Sequence, residues 1–137
     1  MTQAIFVDSS AWIAVSDVRG KYHQQAVQYY ELLIRDRINL VTTNFVIAES
    51  YVMIQKTAGI TKAILFLDVL RTSRLIRRIY SNESLELVAE SILRQYSDQD
   101  FSYADAVSFA FMRQERIDNA FAFDHHFTVA GFETAPR

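Results

Sequence analysis

The sequence predicts an α/β fold, a three-layer sandwich in which a mostly parallel central sheet is flanked by helices. Short apolar runs alternate with longer segments whose apolar residues recur at helical spacing. Two of the short runs end in an acid, at Asp8 and Asp124, and ligands of open parallel sheets bind beyond the carboxyl ends of strands. No linker, repeat or low-complexity segment interrupts this order, so we expect a single domain over residues 1–137.

The first half of the chain predicts two strands, each followed by helices. The strands are Ala4 to Val7 and Asn39 to Thr42, and the helices run from Ser9 or Ser10 through Trp12 toward Val15, from Tyr22 to Ile34, from Asn44 through Glu49, and from near Thr61 to Leu70. Serine and asparagine side chains accept hydrogen bonds from the first backbone N–H groups of a helix. We therefore expect a serine to cap the first of these helices and Asn44 to cap the third.

The second half of the chain continues the alternation with three strands and two helices. They are a strand from Leu75 to Tyr80, a helix capped by Asn82 and running to Tyr96, a helix from Tyr103 to Met112, a strand from Asn119 to Phe123, and a last strand that includes Phe132. Arg77 and Arg78 place the first of these strands toward an edge of the sheet. The segment from Tyr103 to Met112 is apolar nearly all round, which predicts a helix packed on more than one side.

Composition excludes several classes of protein. Half of the 137 residues are hydrophobic, the formal net charge is −2 and cysteine is absent, so a thiolate nucleophile and a Cys-based zinc site are excluded. The N-terminus lacks the basic region of a signal peptide. No apolar stretch approaches the roughly 20 residues that span a bilayer, so we expect a cytoplasmic protein with no membrane association.

Four acidic residues have apolar neighbours in the sequence and are the candidate site residues. They are Asp8, Glu49, Asp105 and Asp124. A buried carboxylate without a partner loses roughly several kcal/mol of hydration, so each acid must be neutralised or must hold a cation. Hard divalent cations prefer oxygen ligands. If the four acids converge, the sequence predicts a site for Mg²⁺ or Mn²⁺.

Four stretches that contain these acids resemble, in order and context, the PIN domain, particularly its bacterial VapC-like toxins. They are residues 6–10 (FVDSS), 43–49 (TNFVIAE), 100–106 (DFSYADA) and 121–127 (FAFDHHF). The resemblance implies a metal-dependent endoribonuclease that cleaves RNA with metal-activated water. It assigns Asp8, Glu49, Asp105 and Asp124 to the family's acidic quartet, with Ser10 and Asp100 as further candidates. It also implies a cognate antitoxin protein and a homodimer.

Each candidate residue also has a structural interpretation that the sequence leaves open. Asp8 could cap the helix that follows it, and the stretch from Ser102 to Asp105 has the pattern of a capping box. Adjacent His125 and His126 suggest zinc, but a structural zinc site needs four ligands. The basic stretch that contains Arg71, Arg74, Arg77 and Arg78 is either a solvated face or a phosphate-binding surface.

Three functions remain open for this set of residues. The first is the toxin of a toxin–antitoxin pair, the second a free-standing PIN nuclease in RNA processing, and the third a binding module with a vestigial site. Because clustered carboxylates attract a guanidinium, we expect an antitoxin to inhibit by placing an arginine among the four acids.

Overall fold

A parallel sheet of five strands forms the centre of the molecule in the computed structural model, which describes residues 3–137. The strands are β1 (Ile5–Val7), β2 (Leu40–Thr43), β3 (Ile76–Ile79), β4 (Asn119–Phe121) and β5 (Glu133–Ala135). They lie in the order β3-β2-β1-β4-β5, and every neighbouring pair is parallel. The predicted α/β fold is confirmed, and β3 lies at an edge, as its two arginines predicted.

Helices connect the strands. They are α1 (Ser9–Ser16), α2 (His23–Arg35), α3 (Asn44–Ala58), α4 (Ile60–Thr72), α5 (Glu83–Gln95), α6 (Tyr103–Glu115) and α7 (His126–Val129). The chain steps outward from β1 to β3 through α1 to α4 and returns to β4 through α5 and α6. Because crossovers between parallel strands are right-handed, these two groups of helices cover opposite faces of the sheet.

Aromatic side chains fill the core between the sheet and α6. Phe6, Phe109 and Phe127 are fully buried, and the ring of Phe109 lies 4.9 Å from that of Phe127. Every residue of α6 from Ala104 to Met112 is buried, which confirms that this helix packs on more than one side. Burying large apolar side chains contributes roughly 1.5–3 kcal/mol each, so α6 is held firmly above the central strands.

Several predicted boundaries and caps are wrong. Asp8, not a serine, caps α1, and Thr43, not Asn44, caps α3 by accepting a hydrogen bond from Val46 N–H at 3.2 Å. Strand β4 ends at Phe121 rather than Phe123, and Phe132 lies just before β5. Helix α7 was not predicted, because its four residues are too few to show helical periodicity.

Within residues 3–137, no helix combines the length and apolar character that crossing a membrane requires.

Candidate active site

The four predicted site acids lie around the carboxyl edge of the sheet. Asp8 follows β1, and Asp124 lies three residues beyond the end of β4. Asp105 is in the first turn of α6, and Glu49 lies within α3. Asp8 and Asp105 are only 2% and 5% exposed. Residues from four different connections of the fold therefore contribute carboxylates to this edge.

Asp8 is both a helix cap and a buried acid. Its Oδ2 accepts hydrogen bonds from the backbone N–H of Ser10 at 3.1 Å and from the Ser10 hydroxyl at 2.6 Å. The Ser10 Oγ in turn accepts the backbone N–H of Phe123 at 3.0 Å. Ser10 thereby joins the end of β1 to the segment that carries Asp124.

Asp105 completes the predicted capping box. The Ser102 hydroxyl oxygen accepts the N–H of Asp105, and Asp105 Oδ2 accepts the N–H of Ser102, both at 3.0 Å. The same Oδ2 lies 2.9 Å from Nδ1 of His126. The capping interpretation and the site interpretation are therefore compatible, since one carboxylate starts α6 and faces the other site residues.

Glu49 is fixed by a serine next to Asp8. Its Oε1 accepts a hydrogen bond from the Ser9 hydroxyl at 2.5 Å, which connects α3 to the start of α1. The sequence left open a pairing of Glu49 with Lys56, but Glu49 forms no ion pair within residues 3–137. The charge of Glu49 is therefore available to a cation at this edge.

His126 lies among three acids, which the sequence did not predict. Its Nε2 is 2.9 Å from Oδ1 of Asp100, and its Nδ1 contacts Asp105 at 2.9 Å and Asp124 Oδ1 at 3.4 Å. Its backbone N–H donates to Asp124 Oδ1 at 2.9 Å, and its side chain is 12% exposed. In the sequence, His126 stood out only as one of two adjacent histidines that follow a candidate acid.

Burial and mutual repulsion shift the pKa values of the two most buried acids upward. Burial raises the pKa of Asp8 to about 7. The hydrogen bonds from Ser10 oppose this rise, and the charge of Asp105 adds to it. Burial also raises the pKa of Asp105, and the charge of Asp124 adds to the shift, while hydrogen bonds from Ser102 and His126 oppose it. Protons and cations therefore compete for the same oxygens.

The pKa shifts of His126 and Asp100 are coupled through their hydrogen bond. Burial lowers the pKa of His126, but its hydrogen bonds to Asp105 and Asp100 and the charge of Asp124 outweigh burial and raise it. The hydrogen bond from His126 lowers the pKa of Asp100. The charged forms of His126 and Asp100 therefore stabilise each other.

All four site acids use only one carboxylate oxygen for hydrogen bonds within the described residues. Those oxygens are Oδ2 of Asp8, Oε1 of Glu49, Oδ2 of Asp105 and Oδ1 of Asp124. The second oxygen of each accepts no hydrogen bond from residues 3–137. Such oxygens suit Mg²⁺ or Mn²⁺, which take one or two protein carboxylates and keep several waters. The donor set therefore fits a hard divalent cation.

Within residues 3–137, the residues whose possible ligand atoms come together as a group of three are Asp124, His125 and His126, and the four acids do not form such a group. Each of these three offers one ligand atom, and these atoms lie within 4.8 Å of one another. Both ring nitrogens of His126 already contact carboxylates, however. Two histidines and one carboxylate also fall short of the four ligands of a structural zinc site. One or two of the free carboxylate oxygens together with water therefore give a better account of a hard cation at this edge than this trio does.

Comparison with known proteins places this arrangement in a family. Residues 5–133 match the family described as PIN domain, whose nucleases generally use divalent metals. The chain is 32% identical over 128 residues to the 23S rRNA-specific endonuclease VapC20 of Mycobacterium tuberculosis, in both the H37Rv and the CDC 1551 strain. These alignments cover 93% of this chain and 95% of each relative.

A solved structure shows the same fold. The crystal structure of Mycobacterium tuberculosis VapC20, described as a sarcin–ricin loop cleaving toxin, aligns with a TM-score of 0.83 and 31% sequence identity. The alignment covers 93% of this chain and 95% of that chain. With a family match over nearly its whole length and a relative of the same fold, the chain belongs to the PIN domain family.

Proposed function

We propose that this VapC-like PIN protein is a metal-dependent endoribonuclease that hydrolyses RNA phosphodiester bonds as the toxin of a toxin–antitoxin pair. The observation that carries the proposal is the set of carboxylates at one edge of the sheet, each with one oxygen that accepts no hydrogen bond from the described residues. The similarity to VapC20, a named endonuclease and toxin, supports the same activity.

The proposed roles follow from burial and hydrogen bonding. Asp8 and Asp105, the most buried acids, bind Mg²⁺ or Mn²⁺, and Glu49 either binds the metal or orients water. Asp124, whose side chain is 29% exposed, completes a second metal position or orients water. When bound, a divalent cation offsets charge on the phosphate and makes water a better nucleophile.

The surrounding side chains position these acids. Ser10 holds Asp8 through two hydrogen bonds, and Ser9 holds Glu49 through one. His126, whose raised pKa favours the protonated ring, holds a proton 2.9 Å from Asp105. Asp100 accepts from the other side of that ring. We propose that His126 and Asp100 tune the charge of the site without contacting the scissile bond.

The first substrate to test is ribosomal RNA. The relative VapC20 is named as specific for 23S rRNA, and its structure as that of a toxin that cleaves the sarcin–ricin loop. At 32% identity, two proteins can share a fold and their site acids and still differ in the residues that select one RNA. We therefore propose structured ribosomal RNA as the substrate class, with the cytoplasm as the location.

Two partners belong to the proposal. One is a cognate antitoxin, and a neighbouring gene for a small DNA-binding protein would distinguish a toxin from a free-standing processing nuclease. The other is a second copy of the chain. Large apolar side chains on α3 and α4 are 39–58% exposed, namely Val52, Met53, Ile60, Ile64 and Leu65, which supports a homodimer. Light scattering at micromolar concentration tests this, and a monomer would contradict it.

Cleavage assays on purified protein test the activity. Wild type with Mg²⁺ or Mn²⁺ should cleave ribosomal RNA, and Asp8→Asn and Asp105→Asn should each abolish cleavage while keeping the fold. Asp98→Asn, which changes an exposed acid, is the matched control and should retain full activity. Full activity in either site variant would overturn the assignment. Growth arrest on induction, followed by mapping of cleaved RNAs, would identify the substrate in cells.

A further inference from the structure

The acid site alone repels the substrate that we propose for it. An RNA phosphate that approaches this edge meets five carboxylates and the side chain of one histidine. The five acids are Asp8, Glu49, Asp100, Asp105 and Asp124. Proteins gain nucleic-acid affinity chiefly by pairing Lys and Arg with backbone phosphates. Cations must therefore lie beside the acids if an RNA strand is to cross them.

Lys21 and Tyr22, which we call the Tyr22 pair, lie on the β4 side of the site. The Lys21 Nζ is 5.3 Å from the ring centroid of Tyr22. The Tyr22 ring stacks on Phe123 with centroids 4.6 Å apart and planes 11° apart, and Phe123 directly precedes Asp124. A cavity of about 350 Å³ is lined by Tyr22, Phe123, Asp124 and other residues. The Tyr22 pair thus opens onto a site acid.

Arg78 and Tyr80, which we call the Tyr80 pair, lie at the other side, where β3 ends. The Arg78 guanidinium is 5.9 Å from the Tyr80 ring centroid, and Tyr80 is 59% exposed. Arg71 Nη1 donates to the Tyr80 hydroxyl at 3.3 Å, and this hydrogen bond lowers the pKa of Tyr80. The next residue, Ser81, donates its N–H to Asn44 Oδ1 at 3.1 Å. Tyr80 therefore borders the start of the helix that carries Glu49.

The cations of both pairs lack internal carboxylate partners. Neither Lys21 nor Arg78 takes part in an ion pair within residues 3–137, and the same holds for Arg71, which donates to Tyr80. The buried Nε of Arg78 also has no hydrogen-bond partner there, and an unsatisfied buried donor is costly. Ion pairs with acidic residues of the fold therefore do not explain why these cations lie next to exposed aromatic rings.

The order of the strands places the acids between the two pairs. Asp8 follows the central strand β1; β4 lies on one side of it, and β2 and then β3 lie on the other. Neighbouring strands are about 4.8 Å apart, so the end of β3 is roughly 10 Å from the end of β1. In the described part of the chain these are the only two cation–aromatic pairs, and both lie at the edge that holds the acids.

We propose that the Tyr22 pair and the Tyr80 pair bind RNA nucleotides on opposite sides of the scissile phosphate, with each cation on a backbone phosphate and each ring against a base. The inference rests on the proposed function, because it takes RNA as the substrate. Aromatic stacking combined with a basic path is how proteins hold single-stranded nucleic acid without reading its sequence. The two pairs position the strand, and sequence choice is left to other contacts.

Binding of a fluorescein-labelled single-stranded RNA of random sequence, measured by anisotropy with a chelator present, tests the proposal without requiring cleavage. Lys21→Gln, Arg78→Gln, Tyr22→Leu and Tyr80→Leu should each weaken binding by about tenfold. The two charge variants should also reduce the salt slope by about one, because each removes one phosphate contact. The two tyrosine variants should leave that slope unchanged.

Arg77→Gln is the matched control. Arg77 is adjacent to Arg78 in β3, and side chains alternate between the two faces of a sheet. Arg77 lines a different cavity together with Arg74 and Arg116. The control therefore loses the same charge from the same strand without touching the Tyr80 pair, and its binding should stay within about twofold of wild type.

Cleavage kinetics give a second readout. With Mg²⁺, variants of either pair should raise KM and leave kcat nearly unchanged, because the pairs hold substrate rather than reacting atoms. Replacing one contacted phosphate with a neutral methylphosphonate should raise KM for wild type. If Arg78 contacts that phosphate, KM of Arg78→Gln should stay unchanged; if Lys21 contacts it, KM of Lys21→Gln should stay unchanged.

Three results would overturn the inference. The first is wild-type RNA affinity in all four variants. The second is an Arg77→Gln loss as large as that of Arg78→Gln, which would mean that only net charge matters. The third is that polyglutamate competes with RNA for the protein as well as unlabelled RNA does, while the tyrosine changes leave RNA affinity unchanged. That result would mean that the protein binds anions in general. Loss of cleavage in Asp8→Asn tests the proposed function separately, so failure of one proposal is distinguishable from failure of the other.

Discussion

The imidazole of His126 lies 2.9 Å from a carboxylate oxygen of Asp105 through Nδ1, and the same distance from Asp100 through Nε2. The ring packs edge-on against Phe101, with centroids 5.1 Å apart. A protonated imidazole donates from both nitrogens. His126 therefore reduces the repulsion among the acids at this edge and fixes α7 against the start of α6.

Replacing His126 should destabilise the protein most at acidic pH. Because the folded-state pKa of His126 is raised, its contribution to stability is fully present below the unfolded-state pKa and is lost as pH rises through the folded-state value. The free energy of unfolding of His126→Ala should therefore fall further below that of wild type at about pH 6 than at about pH 9. Urea unfolding at both pH values with a chelator present measures this.

His125→Ala is the matched control for that experiment. His125 has 77% of its side-chain surface exposed, and its Nδ1 is 3.8 Å from Asp124. Exposed ion pairs contribute between about 0 and 1 kcal/mol, so the control should stay close to wild type at both pH values. Equal losses in the two variants would contradict the role given to His126.

Asp8→Asn should make the protein more stable at alkaline pH. The pKa of Asp8 rises from 3.8 to about 7 in the folded state, so between these values the folded state binds more protons than the unfolded state and stability falls as pH rises. Asparagine also caps helices well. Without metal the variant should gain up to about 4 kcal/mol over wild type at pH 8 and much less at pH 5. A gain that is the same at both pH values would show that the acid is not the cause.

Divalent metal should stabilise the wild type through the same carboxylates. Millimolar Mg²⁺ or Mn²⁺ should raise the Tm relative to a chelator control, because a ligand that binds only the folded state stabilises it. Asp105→Asn should lose most of this increase, and Asp124→Asn should lose part of it. Asp98→Asn should behave as wild type. Differential scanning fluorimetry measures all four proteins, and an undiminished increase in Asp105→Asn would remove that residue from the metal site.

Phe109→Ala should destabilise the fold through its core. Phe109 is fully buried and contacts the rings of Phe101, Phe127 and Phe132. Truncating a buried phenylalanine to alanine typically costs about 3–5 kcal/mol. Leu87→Ala, at a side chain that is 61% exposed on α5, should change stability by less than about 0.5 kcal/mol. Chemical denaturation of both variants gives the comparison.

The sequence predicted the elements that have a clear period and a clear chemical signature. The helix capped by Asn82 is present, and the Asn82 side chain accepts from Leu85 N–H as expected. The edge position of β3 followed from Arg77 and Arg78, because charged residues are tolerated at a sheet edge. These features are local, so residues close in sequence are enough to identify them.

Features that depend on contacts distant in sequence were not predictable. Asp8 was expected as a site acid or as a cap, and its link through Ser10 to Phe123 spans 113 residues. His126 contacts Asp100 and Asp105 across 26 and 21 residues, and nothing near it in the sequence predicts those contacts. The rings of Tyr29 and Tyr30 pack edge-on against Phe121 and Trp12 in other elements of the fold, which helical spacing alone does not identify.

The strand order also has a consequence for synthesis of the protein. The central strand β1 pairs with β2 and with β4, and β4 begins only at Asn119. A nascent chain grows from the N-terminus at about 5–20 residues per second, so Asp8 emerges many seconds before His126 and the loop that carries Asp124. Until then the four acids cannot all come together. If the protein cleaves ribosomal RNA, this delay keeps an unfinished chain harmless to the ribosome that is making it.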